Sequence, residues 1–238
     1  MIFLSVEGGI AVGKSCVINW LKKQDFLTIG GIDIYREDIL FIDEPLVDMT
    51  QFWGFFHKSG SQNHVKPLCF NPLAEMMQNT LASQIVITQA FIKHYNYLKP
   101  SFKNYKLIIS ERSWISSYIF SETLKNIGLL TQFEFEVLNK FHLTLFNTIE
   151  IPNINHILFL HSPAEISIER IKERQRPGEI ETITKSYLQE LEKSHTKMLC
   201  HNTHPNFPKF GLGLVENKAE SDILFKKVAE VLIDIRSE

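Results

Sequence analysis

The chain has 238 residues, a formal net charge of −2, 44% hydrophobic residues and 22% charged ones. That composition is ordinary for a soluble globular protein and long enough for one α/β domain with a full core. It leaves no overall positive charge to draw nucleic acid or an anionic membrane, so any phosphate recognition has to be local. Three cysteines, Cys16, Cys69 and Cys200, form neither a metal spacing nor an even disulfide framework, which points to a reducing, cytoplasmic setting. No apolar run approaches the length of a membrane span, and a strand starting at Ile2 leaves no place for a leader in front of it.

The first element is an apolar strand over Ile2–Val6. Behind it, Gly8, Gly9, Ile10, Ala11, Val12, Gly13, Lys14 and Ser15 spell G-x-x-x-x-G-K-S, followed by Cys16. A chain of this length shows that pattern by accident about once in a hundred cases. The spacing has a mechanical reason. Gly8 and Gly13 let the backbone curl until successive N–H groups point inward at phosphate oxygens. Lys14 sets an ammonium against the β- and γ-phosphates, and the Ser15 hydroxyl is a Mg²⁺ ligand. A helix opening near Lys14, with Val17, Ile18, Trp20 and Leu21 on its apolar face, adds its positive end.

Further apolar runs follow at Ile39–Ile42, Leu107–Ile109, Ile157–Leu160 and Leu212–Val215, with helix-length segments between them. Strands alternating with helices predict a parallel sheet of five strands covered on both faces, with ligands at the carboxyl ends of the strands. The second run ends in Asp43-Glu44-Pro45, where Pro45 holds Glu44 extended. Residues 52–66 read as a surface excursion or lid, and Leu73–Tyr97 as a long helix. The third run ends in Ser110-Glu111-Arg112-Ser113, which offers a second carboxylate for Mg²⁺ and an arginine able to bridge Glu44 and a transferring phosphate.

Thr131–Thr148 reads as a helix with Phe133, Val137, Leu138, Phe141 and Leu145 on one face, widened by Phe135 and Phe146. Such a helix is either central in the core or at a subunit contact. Arg170 and Arg174 lie four apart, and Arg176 leads into Pro177-Gly178-Glu179. Arginines leaving a helix for a loop suit a lid, at about 170–180, over a triphosphate. The final helix spans about Ser221–Ile235 and packs on the sheet. Cradle, metal ligand, base and positive clamp together make a phosphoryl-transfer set.

In this order the pieces resemble the deoxyribonucleoside kinases, the family of deoxycytidine, deoxyguanosine, mitochondrial thymidine and insect deoxynucleoside kinases. The likeness rests on Gly8–Ser15, Glu44-Pro45, Glu111-Arg112-Ser113 with Ser116 and Phe120, and Glu169-Arg170-Ile171 continuing to Arg174, Arg176 and Glu179. Tyr187, Leu188, Leu191 and His195 match the helix after the lid. The resemblance implies a single domain of P-loop kinase fold with an arginine-rich lid, and ATP-dependent phosphorylation of a deoxynucleoside 5′-hydroxyl in nucleotide salvage, with Mg²⁺. Glu44 then resembles the general base and Arg112 its partner, while Ser15 and Glu111 would serve Mg²⁺. Arg170, Arg174 and Arg176 would cover ATP, with Arg170 near the adenine. Glu179 resembles the carboxylate that bonds the sugar 3′-hydroxyl. Gln84 resembles the amide that reads the base edge, preferred over Gln78 and Gln89 for its spacing to Glu111. A homodimer is also implied.

The chain departs from the family pattern in places. Met76 and Met77 stand where a tyrosine holds the sugar, and Met49 where a tryptophan is expected. Phe91 and Ser117 stand where an arginine–aspartate pair selects cytosine or guanine, which leans toward thymidine or a broader pyrimidine preference. Two other readings compete. A thymidylate kinase shares the architecture but usually carries Asp-Arg at the third strand end and lacks Glu-Pro. A GTP-binding switch needs Asn-Lys-x-Asp, whereas Asn217-Lys218-Ala219-Glu220 ends in the wrong acid.

Overall fold

The computed structural model describes residues 1–45, 72–149, 151–175, 179–201, 207–218 and 221–235. Its strands are β1 Ile2–Glu7, β2 Phe26–Ile29, β3 Ile32–Tyr35, β4 Ile39–Ile42, β5 Leu107–Glu111, β6 His156–His161 and β7 Gly211–Glu216. Five of them pair in parallel in the order β4-β5-β1-β6-β7, so the phosphate-loop strand is central. All five sequence-predicted strands are present.

The helices are α1 Lys14–Leu21, α2 Pro72–Leu98, α3 Trp114–Asn126, α4 Gln132–Thr148, α5 Ala164–Arg174, α6 Glu179–Thr182, α7 Lys185–His195 and α8 Ser221–Asp234. They cover both faces of the sheet, and the two-residue period of each strand divides its side chains between them. On one face Leu4, Val6, Leu107, Ile109, Leu158 and Leu160 meet Val17 and Leu21 of α1 and Leu224, Val228 and Leu232 of α8. On the other face Phe3, Ile108, Ile157 and Phe159 meet Phe91 and Tyr95 of α2, Ile115 and Ile119 of α3, and Leu191 of α7. The sheet and its flanking helices make a P-loop kinase fold.

The helix ends follow from local chemistry. Ser113 caps α3 by accepting from the Ile115 N–H. Thr131 and Glu134 form a reciprocal capping box at α4. A π-helical turn over Thr196–Cys200 continues α7.

Two features differ from the sequence reading. The β2–β3 hairpin was not expected. It turns on Gly30 and Gly31, whose φ values of +56° and +79° suit the tight two-residue turn of a twisted hairpin. Its Leu27, Ile29 and Ile34 join the α1/α8 face of the core. In α4, the predicted stripe is buried only in part: Leu138 and Phe146 are buried, joined by His142, whereas Phe133 and Val137 are 74% and 43% exposed. The i, i+4, i+8 row through His142 faces inward because that imidazole has a partner there, Thr88 Oγ1 of α2 at 2.8 Å. The excursion at 52–66, Met49 and Cys69 lie outside the described residues.

Among the described residues no helix is long and apolar enough to cross a membrane.

Two imidazoles in the core make stability depend on pH. His142 and His195 are fully buried, and burial lowers them to about 4 and about 3. In the unfolded chain both regain an ordinary value near 6.5. The folded state therefore binds fewer protons, and stability present above that value is lost as pH falls toward the folded values. Equilibrium urea unfolding at pH 7.5 and pH 5 should differ by on the order of 2 kcal/mol per histidine. His142→Gln should remove its share of the difference.

Candidate active site

Register brings the chemistry to one edge. Val6 lies opposite Glu111 and Ile42 opposite Ser110, so β1, β4 and β5 end level with one another. The phosphate loop leaves β1, Arg112 follows β5, and Glu44 sits two residues beyond β4.

The loop is shaped by what it must pass. Gly8 has φ +144°, and a Cβ there would lie 2.1 Å from the Leu160 carbonyl oxygen of β6. Gly13 has φ +102°, and a Cβ would lie 2.5 Å from Asn217 Nδ2. Neither position admits a side chain. Ala11 also has positive φ, at +59°. Lys14 folds back and donates to the carbonyls of Gly9 (2.6 Å) and Gly8 (3.2 Å). Its ammonium is buried. That burial and the Arg112 guanidinium push it down to about 7, against the pull of Glu44, Glu111 and Glu7.

Arg112 is the second buried cation. Its Nε pairs with Glu44 Oε1 at 3.0 Å, Nη1 donates to the Gly8 carbonyl at 2.8 Å, and Nη2 donates to the Gly9 carbonyl at 3.2 Å. The guanidinium lies over the Phe120 ring, 4.8 Å from its centroid. Next to it, Ser15 donates to Glu111 Oε1 at 2.6 Å. A hydroxyl oxygen and a carboxylate oxygen side by side, both facing the cavity, are the hard donors that Mg²⁺ prefers.

These groups line a cavity of about 420 Å³. Its wall is formed by Ile10 to Cys16, Glu44, Glu111, Arg112, Arg170 and Arg174, together with Gln84, Ile87 and Phe91 of α2, Ser116, Ser117 and Phe120 of α3, and Glu179 and Ile183. Gln84 stands on a turn tied to α4. Thr88 donates its hydroxyl proton to the Gln84 carbonyl, so His142 must present Nε2–H to Thr88. The Ser117 hydroxyl is buried beside the cavity with no partner among the described residues. Gly8 and Gly9 contribute carbonyls to Lys14 and Arg112 rather than cavity wall.

The lid groups make contacts within the protein. Arg174 and Glu179 hold each other through two short bonds, Nε–Oε2 at 2.7 Å and Nη2–Oε1 at 2.6 Å. Arg170 donates to the Ala11 carbonyl, Ser162 Oγ and Asn217 Oδ1, and so braces the loop. Arg176 lies outside the described residues, and so do the side chains of Met76, Met77 and Gln78.

Sequence reasoning missed two residues that shape the site. Asn217, at the end of β7, donates to the Val12 carbonyl at 2.7 Å and accepts from Arg170. Glu7 is fully buried behind the loop and accepts hydroxyl protons from Ser5, Ser113 and Ser116. An acid that ends an otherwise apolar strand, just before Gly8, was the available signal for it.

Known proteins resemble this arrangement over almost the whole chain. A family model described as deoxynucleoside kinase matches residues 4–235. The deoxyguanosine kinase of Dictyostelium discoideum is 27% identical over 146 residues, which are 59% of this chain and 50% of that one. The chain thus spans about half the length of that relative. A probable deoxycytidine kinase of fowlpox virus (strain NVSL) is 27% identical over 222 residues, 93% of this chain and 80% of that one. Two solved structures of a deoxyadenosine kinase from M. mycoides share the fold. One, with products dCMP and a flexible dCDP bound, has a TM-score of 0.68 at 17% identity over 96% of this chain and 97% of the other. The other, with bound dCTP, has a TM-score of 0.67 at 16% identity over the same shares. With the loop, the Glu44–Arg112 pair and the Ser15–Glu111 pair meeting at one cavity, and a family match running from residue 4 to residue 235, the chain belongs to the deoxynucleoside kinase family.

Proposed function

We propose that the chain, acting as a single domain, transfers the terminal phosphoryl group of ATP to the 5′-hydroxyl of a deoxyribonucleoside, as a step of nucleotide salvage. The observation that carries this reading is the Glu44–Arg112 pair, 3.0 Å apart, on the wall of the cavity that the phosphate loop also lines. The nucleoside occupies the end lined by Gln84, Phe91 and Ser117, with Glu179 near its sugar. The triphosphate lies on the loop, under Arg170, Arg174 and Arg176.

The hydroxyl oxygen attacks the terminal phosphorus and the bond to the donor's bridging oxygen breaks. The hydroxyl proton passes to Glu44, which Arg112 holds in place. Lys14 and Arg112 meet the charge that develops on the transferring group, and positioning does most of the remaining work. Ser15 and Glu111 would hold Mg²⁺, which when bound supplies charge neutralisation at the donor phosphates.

For the base, the cavity residues that come from α2 and α3 offer one amide, two serine hydroxyls and apolar side chains, with no charged group among them. That supports thymidine or a broader pyrimidine preference. The relatives are named for guanine, cytosine and adenine nucleosides, so the preference rests on these side chains alone. A cytoplasmic homodimer completes the proposal, and the exposed Phe133 and Val137 of α4 support apolar contact between copies.

A panel of thymidine, deoxycytidine, deoxyguanosine, deoxyadenosine and thymidylate with MgATP tests the reading. Thymidine or deoxycytidine should be phosphorylated fastest, and transfer to thymidylate alone would replace this reading with a monophosphate kinase. Glu44→Gln should lower kcat by about 10²–10⁴-fold while nucleoside binding, followed by calorimetry, persists. Lys14→Met should leave no measurable transfer; activity within about tenfold of wild type would remove the loop from the donor site.

A further inference from the structure

Glu7 is a fully buried carboxylate of this edge that has no part in the transfer described above. It closes β1 on the same side as Phe3 and Ser5, facing α3 rather than the cavity, and its side chain is fully buried. A carboxylate withdrawn from water is costly unless its oxygens are satisfied and opposite charge is near. Here Oε1 accepts from Ser5 Oγ at 2.7 Å and from Ser113 Oγ at 2.6 Å, while Oε2 accepts from Ser116 Oγ. The two buried cations Lys14 and Arg112 stand next to it, and Arg112 Nη1 reaches the same Ser116 hydroxyl at 3.4 Å.

Two of those three serines are the residue after Arg112 and the residue four after it. Arg112 itself adopts φ +63°, a left-handed conformation that costs a non-glycine residue about 1–2 kcal/mol and persists only where its surroundings dictate it. One tie is visible in the backbone, where the Arg112 N–H donates to the Val6 carbonyl at 3.0 Å. The others run through Glu7, which grips Ser113 and Ser116 and so pins the first turn of α3 to the end of β1. The turn between those anchors aims the guanidinium at Glu44 and at the Gly8 and Gly9 carbonyls.

We propose that Glu7 is a positioning residue for phosphoryl transfer: by holding Ser113 and Ser116 it keeps the left-handed Arg112 turn in the geometry that orients Glu44. This role rests on the kinase reading given above. Glu7 touches neither the cavity nor either substrate, so it acts on the reacting atoms only through Arg112 and Glu44. Ser5 extends the anchor sideways, because it also accepts from Ser110 Oγ of β5 at 3.4 Å and thus joins the two strands whose ends carry the site.

Glu7→Gln keeps the shape of the side chain but loses its charge and replaces an acceptor oxygen by a donor. With folding checked by circular dichroism at the assay temperature, kcat should fall about 10–10²-fold while KM for ATP and for the nucleoside stays within about threefold. In a Glu44→Gln background the same change should cost no more than about twofold, because the group it serves is already lost. Should Glu7→Gln fail to fold, Ser113→Ala and Ser113→Thr take its place. Threonine keeps both the hydroxyl and the helix cap and should retain kcat, whereas alanine should lower it. A folded Glu7→Gln enzyme with wild-type kcat, or losses that multiply independently with Glu44→Gln, or equal kcat in the two Ser113 variants, would overturn the assignment. A wild-type chain that phosphorylates no nucleoside would instead overturn the kinase reading, and this role with it.

Discussion

Two cations held out of water govern the functional edge. Lys14 and Arg112 are 6% and 5% exposed, and each donates to the carbonyl oxygens of Gly8 and Gly9. Both carbonyls are thereby turned toward the two cations. Loop shape and cation placement therefore determine each other. The glycines permit the curl, the cations satisfy its outer side, and Glu44, Glu111 and Glu7 supply the opposite charge that makes burial tolerable. Mutual attraction alone does not settle such a cluster, because desolvation opposes it. The hydrogen bonds to fixed backbone carbonyls are what give it one geometry.

The rest of the architecture delivers groups to that cluster from two sides. The layer containing α1 and α8 is almost purely apolar toward the sheet and acts as support, with the β2–β3 hairpin extending it. The layer containing α2, α3 and α7 mixes apolar packing with functional side chains. Gln84, Ile87 and Phe91 of α2 and Ser116, Ser117 and Phe120 of α3 add uncharged side chains to a wall that the loop, Arg112 and the strand-end carboxylates make charged. His195 stacks on Phe159 at 5.7 Å and meets Phe120 edge-on at 6.3 Å, so the ring beneath Arg112 is itself wedged from behind. Burial keeps that imidazole neutral, which avoids a third cation at the same edge.

Much of the fold could be read before any coordinates. Five apolar runs of strand length, separated by helix-length segments, became the five strands of the sheet with boundaries shifted by at most a residue or two. The cavity wall includes Glu44, Gln84, Glu111, Arg112, Ser117, Arg170, Arg174 and Glu179, all named from motif and resemblance. The two differences have separate causes. In α4 the apolar stripe contains the buried Leu138 and Phe146 but not His142 between them, which is polar but partnered by Thr88. Hydrophobic periodicity has no means of seeing a satisfied polar group in a core. The hairpin did carry a legible sign, Gly30-Gly31 between alternating residues, which was passed over as a stretch between strands.

The sequence by itself determined the five strands of the main sheet, the glycine-bearing loop and the identities of the side chains that line the cavity. Those depend on local spacing: a glycine where no Cβ fits, a proline after a strand-end acid, an apolar period of two or of about three and a half. Tertiary structure alone decided which groups meet. Glu7 and Ser116, 109 positions apart, become hydrogen-bond partners because β1 and β5 pair in parallel and end level. Arg174 holds Glu179, and Asn217 reaches back to Val12 across 205 positions. Partnerships of that kind are set by strand register and by which faces the helices cover, and these follow from burying two apolar layers at once rather than from any local segment.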